Sequence, residues 1–83
     1  MSQKKKSKEE LFILHLYEKA LATGDPENEV DRYVVGNLVG EHTKGADNTV
    51  QWLTKNNFIK RGERSKIYLT SLGISLAKEL QSE

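Results

Sequence analysis

The feature that most constrains this chain is the order of short segments in its second half, from Val35 to Leu80. Two short helix patterns come first, followed by two strand patterns around a charged turn and by a closing helix pattern. Gly40 stands between the two helices, and residues 62–65 form the turn. With 83 residues, the chain is long enough for one small domain and too short for two. This order predicts a mainly helical α+β domain that carries a small ribbon.

Capping and breaking residues mark the first helix. Ser7 and Glu10 have the spacing of a capping box, and Pro26 prevents the helix from continuing. The helix is therefore predicted to run to about Ala22. Its apolar residues are too many for one stripe, which suggests a second buried surface, most simply against another subunit. These apolar residues are Leu11, Phe12, Ile13, Leu14, Leu16, Tyr17, Ala20 and Leu21.

The next two helices are predicted to cross closely. Asp31 suits the N-cap of a second helix over residues 32–39, in which Gly36 leaves room for a neighbouring helix. A third helix is predicted over residues 43–56, with Asn57 as its left-handed C-cap. Its apolar face is predicted to point inward and its polar face outward. The inward residues are Ala46, Val50 and Leu53, and the outward ones are Lys44, Asn48, Gln51 and Lys55.

Two strands and a last helix complete the predicted domain. The strands are predicted at residues 58–61 and 66–69, and Thr70 is the predicted cap of the last helix. A further, very short strand fits at Val30. The last helix contains the apolar residues Leu72, Ile74, Leu76, Ala77 and Leu80.

Charge is divided unevenly along a chain whose net charge is only +1. Residues 9–41 hold eight acidic and two basic residues, whereas residues 42–68 hold six basic and two acidic ones. A polyanion responds to the local patch rather than to the total charge. Residues 1–6, with three lysines and no acid, are predicted to be a disordered basic arm before a domain at residues 7–83.

Several classes of protein are disfavoured by what the sequence lacks. There is no cysteine, which excludes disulfides and thiolate metal sites and is consistent with a cytoplasmic protein. The apolar run from Leu11 to Tyr17 is interrupted by His15 and is too short to cross a bilayer. No nucleophile elbow, phosphate loop or metal-ligand spacing is present, and His15 and His42 stand far apart. An enzyme, a cofactor, a metal site and a small-molecule ligand are therefore not expected.

Three short motifs follow one another in the second half of the chain. They are VGNLVG at residues 35–40, NFIKR at residues 57–61 with Leu53 before it, and YLTSLG at residues 68–73. Together they resemble the turn, the end of the recognition helix and the closing wing of MarR-like and PadR-like transcription regulators. The resemblance covers residues 30–80. It implies a winged helix-turn-helix fold, with a three-helix core, a short β-hairpin wing and a C-terminal helix.

The resemblance also implies that the third helix and the basic wing bind double-stranded DNA. Asn48 and Gln51 carry amides that suit an adenine edge, whereas the basic residues and Thr43 suit phosphates. A homodimer through residues 7–22 and 71–81 is expected, although the long flanking helices of full MarR-like proteins are missing. The alternative without DNA binding is a solvated helix face beside a charged hairpin. The candidate DNA-binding residues are Thr43, Lys44, Asn48, Gln51, Lys55, Lys60, Arg61, Arg64 and Lys66.

Two residues keep a different interpretation open. Asp47 would repel phosphate unless it accepts a hydrogen bond from a cytosine amino group or pairs with Lys44 or Arg61. Trp52 suits a partly buried or interface position better than base stacking. Both favour the alternative function, a winged-helix protein–protein interaction adaptor in a larger assembly. Binding of RNA or single-stranded DNA is a third, weaker hypothesis, because few aromatic residues accompany the basic ones.

Overall fold

The computed structural model describes residues 6–83, which form four helices and a three-stranded antiparallel sheet. The predicted mainly helical α+β class is confirmed. Most of the predicted basic arm, residues 1–5, lies outside the described residues. In chain order, the elements are α1 (Lys8–Ala22), β1 (Val30–Asp31), α2 (Arg32–Leu38), α3 (Thr43–Lys55), β2 (Ile59–Arg61), β3 (Lys66–Leu69) and α4 (Ser71–Gln81).

Side-chain caps fix the starts of three helices at the predicted positions. At α1, the N–H of Ser7 donates to Oε1 of Glu10 at 2.8 Å, and the N–H of Glu10 donates to Oγ of Ser7 at 3.1 Å. Asp31 accepts from the N–H of Tyr33 at the start of α2, and Thr70 caps α4. These bonds satisfy donors that have no partner inside their own helix.

Two helices end one residue earlier than predicted. α2 ends at Leu38 and α3 at Lys55, because Val39 and Asn56 are their C-caps. A C-cap residue is only half inside its helix, so shifts of this size are common. The strand β2 also differs by one residue, since it begins one residue later than predicted.

The chain leaves α3 through a left-handed residue, as predicted. Asn57 has a φ angle of 66°, and the N–H of Phe58 donates to the carbonyl oxygen of Leu53 at 3.0 Å. This bond satisfies a carbonyl of the last turn of α3 and reverses the chain directly into β2. The hairpin of β2 and β3 is therefore placed beside the end of α3.

The sheet joins this hairpin to the segment that precedes α2. β3 is the central strand, with β1 on one side and β2 on the other. Val30 pairs with Ile67, and Ile59 pairs with Leu69. The very short strand foreseen at Val30 thus belongs to the same sheet as the predicted ribbon.

The core uses most of the apolar surface of α1. Of the eight apolar residues that the sequence analysis named in this helix, five are buried and only Leu21 is exposed. α1 packs against α4, α2, α3 and the sheet. Helices and strands of the same chain therefore cover most of the face for which a second subunit was expected.

α2 and α3 cross at a position where only a very small side chain fits. A Cβ atom at Gly36 would lie 2.9 Å from the Cβ atom of Ala46, which is closer than real contacts allow. The prediction that Gly36 leaves room for a neighbouring helix is therefore confirmed. The close crossing also brings the first turn of α2 near the side of α3.

We predict that Gly36→Ala lowers the free energy of unfolding by about 1–3 kcal/mol, because overpacking forces the two helices apart. Gly45→Ala is the matched control, since a Cβ atom there would meet its nearest neighbour, the Cβ atom of Glu41, at 3.5 Å. The control is expected to be neutral or to stabilise the chain by up to about 1 kcal/mol through helix propensity. Urea denaturation measures both changes. Equal effects of the two substitutions would contradict the close crossing.

Candidate functional site

The nine candidate residues identified in the sequence all have exposed positions. Five belong to α3 and four to the hairpin. Because the inward residues Ala46, Val50 and Leu53 are buried, the predicted division of α3 into two faces is confirmed. A polar helix face and a basic hairpin are therefore both accessible from outside.

An open groove lies between α3 and the hairpin turn, and we call it the α3–hairpin groove. Its volume is about 520 Å³. Three of the nine candidates, Gln51, Arg61 and Arg64, meet here. The remaining lining residues are Arg32, Tyr33, Asp47 and Ser65. Three arginines and one carboxylate thus line the groove, which leaves it basic.

The other candidates are placed around this groove. Thr43, in the first turn of α3, lines a smaller depression of about 200 Å³ together with Asn37 and His42. Tyr33 borders both this depression and the α3–hairpin groove. The candidates that line neither are Lys44, Asn48, Lys55, Lys60 and Lys66.

Arg32 connects the hairpin turn to both α2 and α3. Its backbone N–H and its Nε both donate to the carbonyl oxygen of Ser65, at 3.1 and 3.0 Å. Its Nη1 lies 3.5 Å from Oδ1 of Asp47. The side chain of Arg32 is only 12% exposed and that of Asp47 is 45% exposed, so solvent screens this ion pair mainly from the side of Asp47. Sequence reasoning missed this role, since no local motif marks a residue whose partners are distant in the chain.

Asp47 pairs with residues other than those considered from the sequence. Oη of Tyr33 donates to Oδ1 of Asp47 at 2.8 Å, on the same oxygen that faces Arg32. The ion pairs of residues 6–83 do not include one between Asp47 and Lys44 or Arg61. The reason is the close crossing of α2 over α3, which brings the first two residues of α2 to Asp47.

Hydrogen bonds at this site shift the pKa values of Tyr33 and Asp31. The bond to Asp47 raises the pKa of the Tyr33 phenol, because this hydrogen bond exists only while the phenol keeps its proton; the negative charge of Asp47 adds to the effect. The backbone N–H of Tyr33 lowers the pKa of Asp31, and Oγ of Ser65 adds to this by donating to Oδ2 of Asp31 at 2.9 Å. Asp47, in the lining of the α3–hairpin groove, and Asp31, which bonds the lining residues Tyr33 and Ser65, are therefore both hydrogen-bond acceptors.

The hairpin turn has one fixed conformation around Arg64. Arg64 has a φ angle of 53°, which is unusual for a residue other than glycine. The N–H of Lys66 donates to the carbonyl oxygen of Glu63, and the N–H of Gly62 to that of Lys66, both at 2.8 Å. With Ser65 held by Arg32, the turn is bonded on both sides of Arg64.

Trp52 lies on the flank of α3 that faces α1 and α4. It is 48% exposed, and its ring stacks on Phe58 with a centroid distance of 6.5 Å and an interplanar angle of 16°. Trp52 is therefore one of the exposed large apolar residues, more open than the partly buried position that the sequence favoured, and whether it lies at an interface stays a prediction. It lines an apolar groove of about 250 Å³ with Ser7, Glu9, Glu10, Leu53, Phe58 and Leu76.

Several general features of the described chain bear on its class. Within residues 6–83, no helix combines the length and the apolar character needed to cross a membrane. In the same range, no three His, Cys, Asp or Glu side chains are grouped as a metal site would require. Comparisons with known protein families, with curated proteins and with solved structures find no match to this chain. Function is therefore inferred from the chemistry of the α3–hairpin groove.

We predict that Asp47→Asn lowers the pKa of Tyr33 toward its ordinary value of about 10, because a neutral amide favours the protonated phenol less. The phenol pKa is raised in the folded chain, so its stabilising effect is present below pH 10 and disappears as the pH rises through the raised pKa. Tyrosinate absorbance measures the titration, and Tyr33→Phe allows the signals of Tyr17 and Tyr68 to be subtracted. Identical titration of Tyr33 in both proteins would contradict the bond.

Proposed function

We propose that this chain is a winged-helix protein that binds double-stranded DNA, and that it acts as a cytoplasmic transcription regulator rather than an enzyme. The order of elements supports the winged-helix fold, since α2 and α3 stand as a helix-turn-helix and the β2–β3 hairpin as the wing. The observation that carries the proposal is the α3–hairpin groove. There, an exposed helix amide meets two exposed arginines of the hairpin.

In this proposal, α3 enters the major groove, which is wide enough for a helix. Asn48 and Gln51 are three residues apart and therefore lie on the same helix face. Their amides can both donate to and accept from an adenine edge. Lys44 and Lys55 stand near the two ends of this face, where they reach phosphates, and Thr43 contacts a phosphate at the helix start.

The hairpin supplies the second part of the proposed interface. Lys60, Arg61, Arg64 and Lys66 are all exposed, and arginine guanidinium groups suit phosphate oxygens. Contacts of this kind give affinity without selecting a sequence. Helix amides that read bases and hairpin cations that bind phosphates therefore complement one another.

A homodimer through residues 7–22 and 71–81 is part of the same proposal, although the chain itself buries most of the apolar face of α1 and leaves Leu21 as its exposed large apolar residue. α4 leaves Leu72 exposed and Leu76 half-buried, one helical turn apart. Two copies would present two reading helices to half-sites about one DNA turn apart. The mass of the protein in solution tests this part directly.

We predict salt-dependent duplex binding, measured by fluorescence anisotropy over a range of salt concentrations. About four to six phosphate contacts per subunit give a slope of roughly −4 to −5 per bound subunit in log affinity against log salt. Arg64→Asn, which tolerates the left-handed backbone, is expected to weaken all duplexes alike and to reduce this slope by about one. Gln51→Ala is expected to relax sequence choice instead.

Glu27→Gln is the control for these variants, because it changes the charge by one unit in the exposed loop between α1 and β1, outside both the proposed DNA interface and the proposed dimer surface. It is expected to leave both affinity and slope unchanged. Absence of duplex binding by the unmodified protein even at low salt would refute the proposed function. If Gln51→Ala and Arg64→Asn both left affinity unchanged, α3 would not be the reading helix.

A second candidate function, that of a protein–protein interaction adaptor, is favoured by Trp52. A half-exposed tryptophan stacked on Phe58 above an apolar groove suits an anchoring contact with a partner. A stoichiometric protein partner recovered without nucleic acid, and lost in Trp52→Ala but kept in Gln51→Ala, would select this function over DNA binding.

A further inference from the structure

The α3–hairpin groove contains one acidic side chain where the proposed function calls for cations. Asp47 lies among Gln51, Arg61 and Arg64 along the lining of the groove. A carboxylate placed there merely as surface charge would weaken phosphate binding. Its hydrogen bonds indicate a more specific role.

The carboxylate of Asp47 is bonded through one oxygen only. Oδ1 accepts from Oη of Tyr33 at 2.8 Å and lies 3.5 Å from Nη1 of Arg32. For Oδ2, the described residues 6–83 offer no hydrogen-bond donor within range, and the side chain is 45% exposed. The first oxygen thus fixes the orientation of the carboxylate, and the second is an acceptor available to a ligand in the groove.

We propose that Asp47 is a specificity-determining residue that accepts a hydrogen bond from the N4 amino group of one cytosine. This inference rests on the proposed duplex binding. An ionised carboxylate only accepts hydrogen bonds. In the major groove, guanine and thymine present acceptors to it, whereas cytosine and adenine each present an amino donor.

Cytosine is favoured over adenine by the neighbours of the amino group. In an A·T pair, the adenine donor is flanked by an acceptor on each side, N7 of adenine and O4 of thymine. In a C·G pair, the cytosine donor has an acceptor on one side only, O6 of guanine. A carboxylate therefore meets less repulsion at cytosine.

Arg32 and Tyr33 act as positioning residues in this proposal. The guanidinium of Arg32, held by Ser65, offsets the negative charge that Asp47 would otherwise present to phosphates. Tyr33 fixes the direction of the carboxylate through Oδ1. Gln51 lies four residues after Asp47 on the same helix face, so both side chains would read neighbouring base pairs.

The test begins with selection of binding sites from random duplex DNA by the unmodified protein. The selected site is then titrated against duplexes that carry each alternative base pair at each position. We expect one position where cytosine is required and where thymine raises the Kd about fivefold to tenfold. Asp47→Asn and Asp47→Ala should abolish the preference at that position and keep the preferences at all others.

Two further variants separate base reading from a purely structural role. Tyr33→Phe removes the hydroxyl donor, so it should weaken the cytosine preference at the same position while the salt dependence stays unchanged. Asp25→Asn makes the same chemical change in the exposed loop between α1 and β1, and it should leave every preference intact. Thermal unfolding confirms that each variant is folded.

The outcomes are distinguishable. Failure of the unmodified protein to bind any duplex would remove the proposed function and this inference together. Duplex binding with no cytosine position, or with a uniform loss of affinity at all positions in folded Asp47→Asn, would overturn this inference alone. Loss of selectivity confined to one C·G pair would support it.

Discussion

The arrangement of the candidate site depends on the two hydrogen bonds from Arg32 to the carbonyl oxygen of Ser65. They attach the hairpin turn to the first residue of α2 at distances of 3.0 and 3.1 Å. β1, which has only two residues, also connects these regions. Because Arg64 precedes Ser65 directly, its position relative to Gln51 on α3 depends on Arg32 as well as on the bond from Phe58 to Leu53 that joins the hairpin to the end of α3. A guanidinium suits this task, since its planar group of donors can bond two elements in fixed directions.

The electrostatics of the site follow from the packing of the backbone. Gly36 lets α2 lie close to α3, and this brings Arg32 and Tyr33 within reach of Asp47. A larger side chain at the crossing would lengthen a 2.8 Å hydrogen bond that tolerates little stretching. The ion pair of Arg32 and Asp47 therefore depends on Gly36, because the close packing at Gly36 brings the two helices together.

What the sequence could predict was limited by distance along the chain. The caps at Ser7, Asp31 and Thr70 and the left-handed Asn57 were predictable, because each acts on residues two to four positions away or on its own backbone. Exposure of the polar face of α3 followed from helical periodicity. The ion pair with Asp47 was not predictable, since its partner comes from another helix and is brought near only by the crossing. Nor could the sequence predict which of the candidate residues line the same groove.

The ion pair of Arg32 and Asp47 also explains how the α3–hairpin groove stays basic although one acidic residue lines it. Arg32 is one of two basic residues in the acidic stretch 9–41, and Asp47 is one of two acidic residues in the basic stretch 42–68. Each is the minority charge of its segment, and they meet where the two segments pack together. The pair adds little net charge to the groove, so in the proposed duplex complex Arg61 and Arg64 are the groove residues that attract phosphates. A carboxylate compensated in this way can remain an acceptor without cancelling the attraction around it.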